Sequence, residues 1–280
     1  MEVIYNLSDF REYRNSLDSQ SKIIGFVPTM GALHAGHLSL VEKAKKSSEI
    51  VIISIFVNPT QFNDPADLMN YPKDIKKDIA KLTPYNPDVI FIPGLKDIYP
   101  KPDTRQFDFG NLDKIMEGES RPGHFKGVAQ VVSRLFDIVR PHSAFFGQKD
   151  FQQLAIIKSL VKQLDYKIEI ISCPIVREKN GLAMSSRNML LSEEARNVAG
   201  FIYKVLWEAK ESYPSLLPEE ISKTAVEKFK NHPDLKLIYF EIIDSESLES
   251  GKALNKSSKL VACVAVKIND VRLIDNLIFV

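Results

Sequence analysis

The segment Ile50 to Val57 reads IVIISIFV, a run with no charge anywhere in it. A strand with one wet face alternates apolar and polar side chains, whereas a strand that is apolar throughout is covered on both faces. KIIGFVP, from Lys22 to Pro28, is a shorter run of the same kind. Between the two, His37 to Lys46 (HLSLVEKAKK) spaces Leu38, Leu40, Val41 and Ala44 as a helix does, with basic residues in its last turn. Continuous apolar strands joined through helices restrict the fold to a parallel sheet with helices on both sides.

The alternation continues. Asp74 to Leu82 is expected to be helix, Asp88 to Pro93 strand, Val128 to Val139 helix, Ser143 to Phe146 strand, Asp150 to Leu164 helix and Ile168 to Val176 strand. That order predicts an α/β fold with a Rossmann-like, doubly wound parallel sheet over residues 1–176. After Asn180-Gly181 the order changes to two helices, Glu193 to Ser212 and Pro218 to Lys230, then three strands, Leu235 to Ile243, Lys259 to Ile268 and Val271 to Val280. Helices followed by strands predict a second, smaller α+β domain over 177–280.

Charge excludes one class of function. With 37 basic and 36 acidic side chains the formal net charge is +1, so no global field is available to hold a polyanion, and no nucleic-acid partner is expected. Cys173 and Cys263 each sit in an apolar run and read as small buried hydrophobes. The first residues, MEVIYNLSDFREYR, show no basic region followed by an apolar stretch, and no apolar run suffices to span a bilayer. No membrane partner and a cytoplasmic location are therefore expected.

Chemistry concentrates where strands hand over to helices. Pro28-Thr29-Met30-Gly31-Ala32-Leu33-His34-Ala35-Gly36-His37 follows the first apolar strand, at the sheet edge where ligands bind. Glycines there allow close approach, and a helix start offers N–H groups and a positive dipole end to phosphates. His34 and His37 share one side of the first turn, where imidazoles can donate to phosphate oxygens. A metal pair or simple helix capping would also fit the two histidines. Gly147-Gln148-Lys149-Asp150-Phe151-Gln152-Gln153 opens another helix, with Lys149 as a point charge for phosphate, Asp150 as N-cap or hydroxyl acceptor, and Gln153 facing a polar substrate. A capped helix with a solvated lysine is the plainer alternative. Met184-Ser185-Ser186-Arg187-Asn188 is either a phosphate clamp or a polar linker. Arg121 to Gly127 (RPGHFKG) is either an anion site or an ordered surface turn, and Asn58, Pro59 and Gln61 add neutral hydrogen-bonding groups after the second strand. No serine triad, zinc spacing or Walker loop is visible.

Taken together, PTMGALHAGH, FVNPTQF, EGESRPGHFKGV, FFGQKDFQQLAII, NGLAMSSRN and RLIDN (Arg272 to Asn276) closely resemble the pantothenate synthetase (pantoate–β-alanine ligase) family, within the HxGH nucleotidylyl transferases. The resemblance covers nearly the whole chain. It implies a two-step reaction: pantoate's carboxylate attacks the α-phosphorus of Mg-ATP and releases pyrophosphate, then β-alanine's amine displaces AMP to give pantothenate. It implies ATP contacts at Met30, Gly31, Ala32, Leu33, His34, Ala35, Gly36, His37, Gly147, Gln148, Lys149, Asp150, Val176, Met184, Ser185, Ser186 and Arg187. His37, His34, Lys149 and Arg187 are expected to be catalytic, and Gln61, Gln153 and Asn58 to bind pantoate. ATP with Mg²⁺ is expected, with no protein metal ligand assigned, and a homodimer paired through the nucleotide domain. Gln130, His142 and Asn180 depart from common family residues, the first two as matters of packing or of a sheet edge. Two other activities compete: a nucleotidylyl transferase whose product keeps the nucleotide, and a nucleotide-binding regulator without turnover.

Overall fold

The computed structural model describes residues 1–18, 20–251 and 259–279. The chain divides into two compact units, one formed by Met1–Gly147 and Gln153–Pro174, the other by Gln148–Gln152 and Ile175–Val280.

In the first unit, β1 (Glu2–Ile4), β2 (Ile24–Thr29), β3 (Ile50–Ile55), β4 (Val89–Phe91), β5 (Ser143–Gly147) and β6 (Glu169–Cys173) form one sheet in the order β1-β4-β3-β2-β5-β6. Every pairing is parallel. β2 and β3 run in register from Ile24 opposite Ile50 to Thr29 opposite Ile55. Successive side chains enter two different cores. Phe26 and Ile52 join Phe10, Phe91 and Phe136 on one face, while Val27, Val51 and Ile53 join Leu40, Val41 and Phe145 on the other. This two-sided burial is why the strands carry no polar alternation.

The helices α1 (Leu7–Asp18), α2 (Ala35–Ser47), α3 (Pro65–Asn70), α4 (Ile75–Leu82), α5 (Leu95–Ile98), α6 (Glu117–Ser120), α7 (His124–Val139) and α8 (Phe151–Gln163) connect the strands. Phe10 of α1, Phe136 of α7 and Ile157 of α8 fill the first core, and Val41 of α2 and Leu82 of α4 the second. From β2 the chain winds outward through β3 and β4, then returns to β5 and β6 on the other side. The switch therefore lies between β2 and β5, and in such sheets ligands bind beyond the carboxyl ends at that point. Thr29 and Gly147 are those ends. The elements fall where the pattern put them, with α2 starting at Ala35 rather than His37 and α7 at His124 rather than Val128. β1 and α1 had no counterpart in the sequence reading.

In the second unit, α9 (Glu193–Ala199), α10 (Phe201–Ser212) and α11 (Pro218–Lys230) pack against an antiparallel sheet of β7 (Lys236–Asp244), β8 (Leu260–Ile268) and β9 (Val271–Ile278), ordered β7-β8-β9. Leu206, Phe229, Phe240 and Val264 lie in its core. The single helix expected from Glu193 to Ser212 is broken at Gly200. The Asn180 amide takes the Arg196 carbonyl at 2.9 Å, the acceptor that the Gly200 N–H would otherwise use, and Gly200 N–H turns to Asn197 instead. The last strand ends at Ile278, and Val280, its expected end, lies outside the described residues. Cys173 and Cys263 are both buried. Among the described residues, no helix is long and apolar enough to cross a membrane.

Candidate active site

In the first unit the loop from Met30 to His34 leaves β2 under tight backbone control. Thr29 Oγ1 donates to the Ser54 carbonyl at 2.8 Å and accepts from Gly31 N–H at 3.2 Å. Gly31 (φ +79°) and Ala32 (φ +50°) then take left-handed conformations. Glycine does so without strain, but for alanine the conformation is unfavourable and must be stabilised from outside. That support is Asp78 of α4, whose Oδ2 and Oδ1 accept from Ala32 and Leu33 N–H at 2.9 and 2.8 Å. Lys81, one turn further along α4, donates to the Leu33 carbonyl.

His34 is the N-cap of α2, its Nδ1 accepting from Gly36 N–H at 3.1 Å. His37 Nδ1 reaches back to His34 N–H in a long contact of 3.4 Å, and the two rings lie 4.1 Å apart. Because each Nδ1 accepts, each neutral ring carries its proton on Nε2. Capping and donation are thus compatible: the capping bonds set the tautomer that makes Nε2–H a donor. The amides of Ala32, Leu33, His34 and Gly36 meet the side chains of Asp78, His37 and His34.

A second corner follows β3, where Pro59–Gln61 forms a single 3₁₀ turn. Gln61 is brought beside Met30, its Nε2 lying 3.1 Å from the Met30 sulfur. Asn58 is turned inward. It is 1% exposed, and its amide donates to Gln61 Oε1 and the Gly127 carbonyl, both at 3.1 Å. Its own oxygen accepts from Tyr99 OH at 3.0 Å and from Thr60 Oγ1 at 3.1 Å. These bonds fix Asn58 beside Gln61 and orient the Gln61 side chain. Gly127 must be glycine, since a Cβ there would lie 2.3 Å from the Thr60 carbonyl oxygen.

RPGHFKG turns into the start of α7. His124 is buried at the start of α7, with Nδ1 2.8 Å from the Gln61 carbonyl and Nε2 3.1 Å from Arg121 Nη1. A guanidinium only donates, so Nε2 accepts and Nδ1–H donates to Gln61. Arg121 also lies 3.6 Å from Glu117. Gln153 sits half-buried in the first turn of α8. Of the three departures, Gln130 donates to the Asp103 carbonyl at 3.1 Å, and His142 Nδ1 accepts from Ile24 N–H at 2.9 Å.

The second unit holds the remaining segments. Asn276 on β9 grips the residues after Gly147. Its Nδ2 donates to the Gln148 and Lys149 carbonyls at 3.0 and 2.9 Å, and its Oδ1 accepts from Gln148 Nε2 at 3.2 Å. Lys149 Nζ lies 3.4 Å from Asp150 Oδ1. Val176 to Met184 folds into a short hairpin, closed by Met184 N–H to the Val176 carbonyl at 2.9 Å and turning at Gly181. Arg177 anchors it with a forked ion pair to Asp275, at 2.6 and 3.0 Å, and stacks 4.0 Å over the Tyr203 ring. Burial pushes the Asp275 carboxyl above its ordinary range, against the pull of Arg177 and of the Asn276 amide. Ser185 caps the 3₁₀ turn Ser186–Leu190, its Oγ accepting from Arg187 N–H at 3.3 Å, and Ser186 is buried. In the sequence, Asp275 and Asn276 stand out only within RLIDN and His124 only within RPGHFKG, while Asp78 and Lys81 carry no signal. A buried carboxylate that serves backbone amides leaves no motif, because its partners have no side-chain identity.

Comparison with known proteins agrees with this organisation. The family model for pantoate–β-alanine ligase matches residues 2–278. A pantothenate synthetase from Bacteroides fragilis is 46% identical over 277 residues, 99% of this chain and 98% of that protein, and one from Porphyromonas gingivalis is 43% identical over 277 residues, 99% of each. The crystal structure of pantothenate synthetase from Thermus thermophilus superposes with a TM-score of 0.92 at 38% identity, covering 99% of both chains. That of the Francisella tularensis pantoate–β-alanine ligase, complexed with β-γ ATP and β-alanine, gives 0.83 at 40% identity, over 100% of this chain and 98% of that one. A match of this extent, in sequence and in structure, places the chain in the pantoate–β-alanine ligase family.

Proposed function

We infer that the chain is an ATP-dependent ligase that condenses pantoate and β-alanine into pantothenate, releasing AMP and pyrophosphate through a pantoyl-adenylate. The observation that carries this reading is the pair of imidazoles whose Nδ1 atoms accept from the backbone of α2, leaving Nε2–H as the donor on each. In the first step a pantoate carboxylate oxygen bonds to the α-phosphorus and the bond to the bridging oxygen breaks. Negative charge grows on the phosphoryl and leaving oxygens, and His34 and His37 donate to them. In the second step the amine of β-alanine adds to the acyl carbon, loses a proton, and AMP departs. No covalent bond to the protein is needed, so positioning and charge account for the rate.

Lys149 and Arg187 supply cations to the triphosphate, and Met30 to His37, Gly147 to Asp150, Val176 and Met184 to Arg187 are assigned to ATP. Gln61, Gln153 and Asn58 are assigned to the substrate side of the site, with Asn58 also orienting Gln61. Mg²⁺ enters with ATP. No protein ligand is assigned to it. Residues 1–176 are assigned as the nucleotide-binding domain and 177–280 as the lid and substrate domain of a cytoplasmic homodimer.

The test is ATP with pantoate, with and without β-alanine, following pyrophosphate and AMP. Pyrophosphate release that depends on pantoate, with AMP appearing when the amine is added, is expected. Retention of the nucleotide in a stable product would point to a transferase, and absence of pyrophosphate to a regulator. His37→Ala is expected to stay folded and to lower the adenylation rate roughly 10²- to 10³-fold, as loss of a transition-state donor does; near-normal turnover would remove its catalytic role.

A further inference from the structure

The loop that presents His34 and His37 is seated by Leu33, which is 1% exposed in the second core. A cavity of about 400 Å³ opens on the α4 side, lined by Met30, Gly31, Ile75 and Asp78 among others. The backbone there is unfavourable at Ala32, with φ +50°. What meets the loop from this side is hydrogen bonding: both oxygens of one buried carboxylate on consecutive amides, and one ammonium on the carbonyl between them and His34. Two bonds from one side chain to successive peptide planes set the orientation of both planes, which a single bond does not. Asp78 is 2% exposed, so its charge has been taken out of water and the amides replace the lost hydration.

We propose that Asp78, assisted by Lys81, is a positioning residue for the adenylation step. It holds Ala32 and Leu33 in the one backbone form that delivers His34 to the N-cap of α2 and so aims both imidazoles. It acts through the loop and touches neither substrate. The proposal rests on the ligase reading for its kinetic consequence but not for its structural one. A metal-ligand role suits Asp78 poorly, because each oxygen already accepts an amide at 2.8–2.9 Å.

Asp78→Asn keeps the shape, retains one acceptor and sets an NH₂ group against the other amide. In the full-length protein its adenylation rate, read as pantoate-dependent pyrophosphate release, is expected to fall at least tenfold. Pantoate KM should hold within about twofold, and aminolysis of supplied pantoyl-adenylate by β-alanine within about threefold. Lys81→Met, which removes only the carbonyl contact from a surface helix, should give a smaller loss in the same step alone. Backbone hydrogen exchange supplies a readout that needs no substrate: Ala32 and Leu33 amides should be protected in the wild type and exposed in Asp78→Asn, with β3 amides unchanged. Equal loss in both half-reactions, or unaltered adenylation with altered exchange, would overturn the positioning role. If Asp78→Asn does not fold, Lys81→Met and wild-type exchange decide: unprotected Ala32 and Leu33 amides, or wild-type adenylation in Lys81→Met, sink the proposal. A wild type that releases no pyrophosphate with pantoate would instead sink the ligase reading, and the exchange result would still stand or fall alone.

Discussion

Each unit hangs its site segments on a buried aspartate, and the two aspartates are satisfied in different ways. Asp78 in the first unit is 2% exposed and accepts from the amides of Ala32 and Leu33. Asp275 in the second is 4% exposed and accepts a fork from Arg177 together with the amide of Asn276. Amides belong to the segment being held, so Asp78 sets a loop's conformation directly. A guanidinium is a strut between two elements, so Asp275 fixes where the hairpin sits against β9 while leaving the hairpin's own turn to Gly181. Losing the first carboxylate leaves two neutral donors that a nearby cavity can hydrate. Losing the second strands a cation.

The contrast predicts its largest effect at Asp275. Asp275→Ala leaves Arg177 uncompensated and should cost ~3–5 kcal/mol, the usual penalty for breaking a buried pair from one side. The single tryptophan, Trp207 on α10, reports on this unit by fluorescence during denaturant unfolding. Replacing both partners, Arg177→Met with Asp275→Leu, should recover most of the loss, because no charge then remains buried. A single-variant cost below about 1 kcal/mol would break the distinction between strut and direct hold.

Asn276 should show a smaller and more selective effect. Its amide secures the Gln148 and Lys149 carbonyls. Asn276→Ala should cost about 1–3 kcal/mol for the unpaired carbonyls. It should also raise ATP KM roughly tenfold, about 1.4 kcal/mol of lost ground-state binding, with pantoate KM unchanged. Initial rates with each substrate varied would check this. A change in pantoate KM alone would assign Asn276 to the wrong half of the site.

The sheet was legible because two-sided burial is written as uninterrupted apolar sequence, and the loops because histidines, lysine and serines stand where strands end. What was hidden had no such signature. DIKKDIAK, around Asp78, looks like an ordinary solvated helix face, and only the tertiary fold shows that one of its carboxylates is buried against a loop 45 residues earlier. Asn58 stands where a strand ends, but the groups that orient it, Gly127 and Tyr99, arrive from distant parts of the chain. β1 has three residues, too few to show a period, and α1 buries only Phe10, Arg14 and Leu17. The break at Gly200 depends on an Asn180 amide from another loop.

Asp103 provides the control that isolates function from burial. It belongs to the first unit, its side chain is 3% exposed, and Arg105 and Arg134 hold it at 2.8 and 2.9 Å. Burial alone would raise its carboxyl, but the Arg105 and Arg134 hydrogen bonds outweigh it and hold the group well below 3.8. A depressed folded value means the folded state favours the ionised form, so the contribution to stability is present above the unfolded value and is lost as pH falls through the folded one. Asp103→Asn should therefore be less stable than wild type at neutral pH, by about 1–3 kcal/mol given that Asn retains one acceptor. The gap should narrow steadily below pH 3.8 in acid unfolding curves. No site segment depends on Asp103, so both half-reactions and all three KM values should match wild type. If they do, a buried paired carboxylate is not by itself enough to tune catalysis, and the selectivity expected of Asp78 and Asn276 comes from what they hold.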